Sequence, residues 1–199
     1  MRATNRGLAV LAVALAAAGC AAPTPTPGPT PTPLSQVVLG PFAFSAPTSW
    51  TVVATGNPAH YETLYGFVAA PPATATETCG PNYIPGLGAC DDTLTVPSGS
   101  VVVSFRQFVN GACHPTAAGQ LAQDEAAGWT PTQVSGLTSA VDRPVLGESG
   151  ATWTWHLAGP GADGCELDEV KARFGDKSTA LGAAVDALAA SLEVSAPAP

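Results

Sequence analysis

The residue types able to do chemistry in this chain are few and scattered. His60, His114 and His156 are the only histidines. None has a second ligand at an i,i+2 or i,i+4 spacing, as a metal site built on one strand or helix would require. His114 reads as a helix-start residue beside Cys113, and His156 as pointing away from Trp153 and Trp155 on an alternating strand. The stretch Gly147-Glu148-Ser149-Gly150-Ala151 misses the nucleophile elbow G-x-S-x-G at its last position, Ala151. Residues 159–164, "GPGADG", spell G-x-G-x-x-G. That motif presents amides to a pyrophosphate only if a helix follows it, and residues 165–174 read as a strand, so a hairpin turn is expected. Asp91-Asp92 and the carboxylates from Asp163 to Asp168 lack the spacing of a calcium loop and read as solvated turns. No catalytic residue, metal ligand or cofactor is assigned, and the chain is read as non-enzymatic.

Cys20 belongs to a different kind of chemistry. Arg2 and Arg6 make a short positive start, and Gly7 to Gly19 is an apolar run of about thirteen residues. A bilayer-spanning helix needs about twenty, so the layout is that of a secretory signal. Ala17-Ala18-Gly19 before Cys20 resembles the lipobox of bacterial lipoprotein signals, with Ala17 where that family prefers Leu. The resemblance implies that Cys20 receives a diacylglyceryl thioether and further acylation (palmitate or similar) and becomes the first mature residue. Two or more acyl chains anchor a protein stably, where one holds it only marginally. Residues 21–33 contain six prolines, and polyproline II at roughly 3.1 Å per residue makes this a spacer of roughly 40 Å at most. The expected organisation is a signal at 1–19, a lipidated Cys20 and stalk over 20–39, one domain over 40–194 and a disordered tail over 195–199. The expected location is the extracytoplasmic face of the cell membrane.

Loss of Arg2 and Arg6 with the signal leaves five basic residues against fifteen acidic ones, a net charge of −10. Nucleic-acid binding needs a basic stripe to neutralise phosphates, and none is present. Charge-driven attachment to anionic lipid is disfavoured for the same reason. Beyond Cys20 stand Cys79, Cys90, Cys113 and Cys165. An even number in an exported domain reads as two disulfides. Three pairings are possible; Cys79–Cys90, closing a short local loop, and Cys113–Cys165, tying distant segments, are favoured. No two of these cysteines have the C-x-x-C clustering of a zinc site.

The elements that must position these residues are read from periodicity and turn chemistry. Phe42 to Ala46 and Trp50 to Val53 read as two strands of a hairpin about Pro47-Thr48-Ser49. Tyr61 to Ala69 is a third strand, and Ser100 to Val109 is the most strongly patterned one. Residues 70–99 form a long loop, a kind of segment that is usually functional or disordered. Its Tyr83, Ile84 and Leu87 have little core to join and are the candidate partner-binding residues, and the loop as a whole is topologically dispensable. Thr116 caps a helix from Ala117 to Ala127 with Gly128 past its end. Leu137 to Val141 is a strand. Ala151 to Leu157 alternates, with Trp153 and Trp155 on one face, and Glu166 to Phe174 pairs back on it. Ser178 caps a closing helix to about Leu192, whose Leu181, Val185, Leu188 and Leu192 share its inner stripe. Strands joined by hairpins with helices laid on them give an α+β fold, a mostly antiparallel sheet covered by helices.

"PFAFSAPTSWTVV" at residues 41–53 is similar to the opening of the PsbP-like superfamily, and "ALAASLEV" at 187–194 resembles its closing helix. The strand order between them agrees with that family. The resemblance implies a PsbP-like sandwich and brings no catalytic residue. The functional expectation is a non-catalytic, membrane-anchored envelope lipoprotein that binds a protein or other envelope partner. The alternative is a carrier of a small apolar or sugar ligand, held in a cleft between sheet and helix.

Overall fold

The structure, a computed structural model, describes residues 32–58, 62–73, 96–109, 115–160 and 164–195. The strands are β1 (Leu34–Leu39), β2 (Phe42–Pro47), β3 (Thr51–Pro58), β4 (Glu62–Ala69), β5 (Val101–Val109), β6 (Thr130–Val134), β7 (Leu137–Asp142), β8 (Ala151–Ala158), β9 (Glu166–Phe174) and β10 (Glu193–Val194). The helices are α1 (Ala117–Ala126) and α2 (Gly182–Ala190), the latter entered through a 3-10 turn at Thr179–Leu181. The fold is thus α+β and mostly antiparallel.

Seven strands form one sheet in the order β3-β4-β5-β9-β8-β7-β6. Every neighbouring pair in it is antiparallel. It consists of two runs of consecutive hairpins, β3-β4-β5 and β6-β7-β8-β9, joined at the β5–β9 pair. A second sheet, β1-β2-β10, packs with α2 over one face of the first. The main core lies between these layers. Phe44 stacks on Phe105 of β5 with centroids 4.3 Å apart, and Phe42 meets the edge of Tyr65 at 5.8 Å. Trp153, Trp155 and Leu157 point into the same core from β8, with Val185, Leu188 and Leu192 from the C-terminal segment. The Trp153 indole N–H, buried by this packing, donates to the Pro144 carbonyl at 2.9 Å. Trp50 is buried in this core as well.

The opposite face carries α1 at one end. At the other end a smaller cluster gathers Leu64, Phe67, Ala69, Ala73 and Val102, with Val53 and Val96 against it. Ala73 and Val96 are the flanks of the long loop, so those flanks are core structure and not dispensable, and residues 74–95 lie outside the described residues. Gly40 makes the β1–β2 turn at φ +57, and a Cβ there would fall inside the Tyr65 ring. Only glycine meets both demands.

Several expectations are corrected. Residues 34–39 are not stalk: β1 pairs along its length with β2, and the folded unit begins at Thr32. At the other end Ser195 is tied to the Pro41 carbonyl through its amide, at 2.9 Å, so the ordered chain runs past residue 194. β2 and β3 are not a hairpin. Pro47-Thr48-Ser49 is a corner that carries the chain from the small sheet to the large one, since β2 pairs with β1 and β10 while β3 pairs with β4. Ser178 does not cap the closing helix; its hydroxyl donates to the Gly175 carbonyl at 2.5 Å. That helix ends at Ala190 and is followed by β10, not continued to Leu192. β6 was not expected at all.

Candidate functional site

Thr116 is the N-cap of α1, its hydroxyl accepting from the Gly119 amide at 3.1 Å. The helix buries Ala117, Leu121 and Asp124, one stripe at i, i+4, i+7. Two members of that stripe are apolar and the third is a carboxylate. On β8 the alternation that sends Trp153 and Trp155 into the core sends His156 to the face under α1. Nδ1 of His156 lies 2.7 Å from Oδ2 of Asp124, and Nε2 lies 3.3 Å from Oε2 of Glu169 on β9. Gln120, one turn earlier on α1, donates to the other Asp124 oxygen at 2.9 Å. Trp129, just beyond α1, stacks on the imidazole at 4.5 Å.

The chain of charges continues across the sheet. Oε1 of Glu169 is 3.1 Å from the Lys171 ammonium and 3.9 Å from Nε of Arg106 on β5. Arg106 in turn meets Glu62 of β4 at 3.2 Å. Carboxylates and cations therefore alternate from β4 to α1: Glu62, Arg106, Glu169, His156, Asp124. Burial alone would raise the Glu169 carboxyl. The hydrogen bond from His156 and the charges of Lys171 and Arg106 outweigh it and hold the group at about 2. For His156 burial disfavours the charged form, but the hydrogen bonds and charges of Glu169 and Asp124 raise it above its usual value.

Beside this network a cleft of about 570 Å³ opens between α1 and strands β5, β8 and β9. Phe108, Leu167, Pro115 and Ala117 supply apolar walls. His156, Glu169 and Gln120 form its polar floor, and Thr116 and Cys165 complete the lining. The volume falls within the range of small-molecule sites, and a largely apolar wall with few polar groups is their usual chemistry. Both nitrogens of His156 already face carboxylates, so the ring has no free nitrogen with which to activate a hydroxyl or thiol.

A second buried chain runs on the core side of the same strands. The Tyr65 hydroxyl donates to Gln107 Oε1 at 3.1 Å, and Gln107 Nε2 donates to Asp168 Oδ1 at 3.1 Å. Asp168 is fully buried. Desolvation, only partly offset by Gln107 and reinforced by the charge of Glu166, pushes it up to about 7.

Of the residues singled out from sequence, Cys165 is disulfide-bonded and sits at the cleft. Cys20, Cys79, Cys90, Cys113, Tyr83, Ile84, Leu87, His60, His114 and Asp91-Asp92 lie outside the described residues. Ser149 is exposed in a turn closed by the Gly147–Gly150 bridge, not at a strand-to-helix elbow. The 159–164 segment joins antiparallel β8 to β9, as a hairpin connection does. Among the described residues no group of three or more His, Cys, Asp or Glu is placed to hold a metal ion, and no helix is long and apolar enough to cross a membrane.

The sequence reading passed over Asp124, Trp129, Arg106 and Glu169. Two signals were present. Asp124 interrupts an otherwise apolar helical stripe, and Arg106 stands within the most apolar strand, where a charge needs a partner. No protein-family model matches the chain, and no curated protein matches it.

Proposed function

We propose that this protein is a membrane-anchored cell-envelope lipoprotein whose PsbP-like domain carries a small apolar ligand in the cleft between α1 and the sheet, without catalysing its conversion. The cleft itself carries this reading: about 570 Å³ of space walled by Phe108, Leu167, Pro115 and Ala117. Among the described lining residues the ionisable groups on its floor, His156 and Glu169, are already paired with protein charges. Such a floor offers hydrogen bonds without a net unpaired charge, which fits a neutral ligand with one polar end. A sugar is less well served, because Trp50, Trp153 and Trp155 face the core and not the cleft. The layered antiparallel sheet supports the PsbP-like assignment, and the Gly19-Cys20 pattern with its proline stalk supports the anchor.

Two experiments test the reading. The full chain, purified from membranes, is titrated with Nile red as a neutral apolar probe. Leu167→Trp, which fills the cleft, should abolish binding, and Val145→Trp at a fully exposed position should not. A folded Leu167→Trp protein with unchanged binding would remove the cleft from consideration. For the anchor, Cys20→Ser should release the domain from membranes or leave the precursor uncleaved; a processed, mature-size variant that still fractionates with membrane would overturn lipidation.

A further inference from the structure

The two sheets give four edges among the described residues, β1 and β10 on the small one and β3 and β6 on the large one. An open edge offers unpaired N–H and C=O groups to any other strand, and folded chains blunt it with shortness, bulges, proline or charge. Three of the four edges are blunted in this way. β10 is two residues long, the pairing of β3 is broken between Ala54 and Asn57 and ends on Pro58, and β6 carries Pro131 inside it. β1 has none of these devices. All six of its residues pair with β2 in unbroken register. Its sequence, Leu34-Ser35-Gln36-Val37-Val38-Leu39, has no charge and no proline. Val37 and Leu39 are buried in the core. Leu34, Gln36 and Val38 alternate with them on the outer face, where Leu34 is 58% and Val38 71% exposed.

We propose that β1 is a dimerisation edge: it pairs antiparallel with β1 of a second copy of this chain, about a two-fold axis at Gln36, and joins the two small sheets into one of six strands. The symmetry of the outer face is what selects a second copy as the occupant. Directly opposite residues of an antiparallel pair share a face. An axis at Gln36 sets Gln36 opposite its own mate and Leu34 opposite Val38 in both halves. The two exposed aliphatic side chains then cover one another. Moving the axis one residue either way sets one of them against Gln36 instead. Charge permits this contact where it opposes others. The chain carries a net charge of −8, yet no Asp, Glu, Lys or Arg occurs between Arg6 and Glu62. The one charged residue of the small sheet, Glu193, is on β10 at the far edge. The pairing depends neither on the cleft nor on the anchor, but it accommodates an anchor. The two Leu34 residues stand about 14 Å apart along the paired strands, within reach of two stalks roughly 40 Å long.

The test is sedimentation equilibrium of the full chain over a range of concentrations, with oxidative cross-linking of cysteine variants by copper phenanthroline. The unmodified chain should pass from monomer to dimer as concentration rises. Val38→Lys, at an exposed position outside the core, should weaken the dimer roughly tenfold or more, because the substitution enters a two-fold interface twice. Gln36→Cys gives up only an exposed hydrogen bond to Ser45. It should yield a disulfide-linked dimer, since opposite residues on paired strands hold their Cβ atoms about 4.5–5.5 Å apart. Val145→Cys, at a 93% exposed position between β7 and β8, should not. Adding Val38→Lys to Gln36→Cys should remove the cross-link. An unmodified chain that stays monomeric up to its solubility limit overturns self-pairing and leaves β1 to a strand of another protein. A dimer that Val38→Lys does not weaken lies on another surface and overturns the proposal. Equal cross-linking of Gln36→Cys and Val145→Cys marks mere collision and overturns it too. A dimer weakened by Val38→Lys in which Gln36→Cys forms no cross-link overturns the axis at Gln36.

Discussion

Trp129 lies over the imidazole of His156 with ring centroids 4.5 Å apart and planes 29° from parallel. An indole in that position reports the charge of the ring beneath it, because an imidazolium quenches an adjacent indole and a neutral imidazole does so far less. The difference in fluorescence between the unmodified chain and Trp129→Phe isolates this indole from the other three. That difference should rise with pH, with a midpoint above the ordinary histidine value of 6.5. In His156→Gln it should be flat. A midpoint at or below 6.5 would contradict the placement of two carboxylates on the ring.

The buried carboxyl of Asp168 makes a separate prediction about stability. Its folded value is raised from 3.8 to about 7. A raised acid contributes stability that is fully present below the unfolded value and is lost as pH rises through the folded one. The linkage is on the order of 4 kcal/mol between those limits. Asp168→Asn keeps an acceptor for Gln107 and cannot ionise, so it should be more stable than the unmodified chain at pH 8 and lose that advantage near pH 4. Urea melts of the two proteins across this range measure it; parallel pH profiles would show that the Asp168 carboxyl is not raised in the folded state.

Glu169 behaves in the opposite sense. It is held at about 2 against an ordinary 4.5, so its contribution is present above about pH 4.5 and is lost as pH falls through the folded value. Glu169→Gln leaves the charges of Arg106, Lys171 and His156 without their shared partner. Breaking a buried pair on one side costs about 3–5 kcal/mol. A chemical denaturation midpoint at neutral pH close to that of the unmodified chain would mean that water, and not Glu169, satisfies these cations.

Gly40→Ala places a methyl group where the Tyr65 ring already sits, at a φ of +57 that alanine adopts poorly. Tyr65 is packed against Phe42 and cannot swing away without opening the core. A loss of about 2 kcal/mol or more is expected, seen as a lowered thermal midpoint. A variant as stable as the parent would show that the β1–β2 turn relaxes freely.

Peptide mapping without reduction should join Cys165, which is disulfide-bonded, to Cys113. Cys165→Ser should destabilise by about 2–5 kcal/mol. Because Cys165 lines the cleft, the same substitution should weaken Nile red binding. Recovery of Cys165 joined to Cys79 or Cys90 would overturn the pairing.

What the sequence disclosed is what short-range physics controls. The alternation of Ala151 to Leu157 showed which side of β8 is buried, and Thr116 marked the start of α1 by a hydrogen bond made three residues away. β6 escaped notice because Thr130-Pro131-Thr132-Gln133-Val134 is an edge strand with one buried residue, too little for a period to show. The turn after it was readable: Ser135-Gly136, both at positive φ, is the dipeptide geometry of a two-residue hairpin. The false β2–β3 hairpin came from treating adjacency in sequence as pairing. The charged network was hidden for a stronger reason. Arg106 and Glu169 become cross-strand partners only because β5 and β9 pair at the centre of the sheet, and no local pattern encodes that pairing. The alternation of Phe42-Ala43-Phe44, by contrast, is local, and it marks a half-buried strand without reference to its partners.

The middle strand of the small sheet, β2, is bordered on one side by β1 and on the other by β10. Ser195 donates to the Pro41 carbonyl across a sequence separation of 154. A polypeptide made from its amino end therefore presents Phe42 and Phe44 long before their cover arrives. Until Glu193 and Val194 follow, β2 has an open edge. A chain cut short after Ala190 would lack Leu192 and the β10 pairing. Such a shortened copy should be digested by a protease faster than one that carries β10, because the edge of β2 is left open.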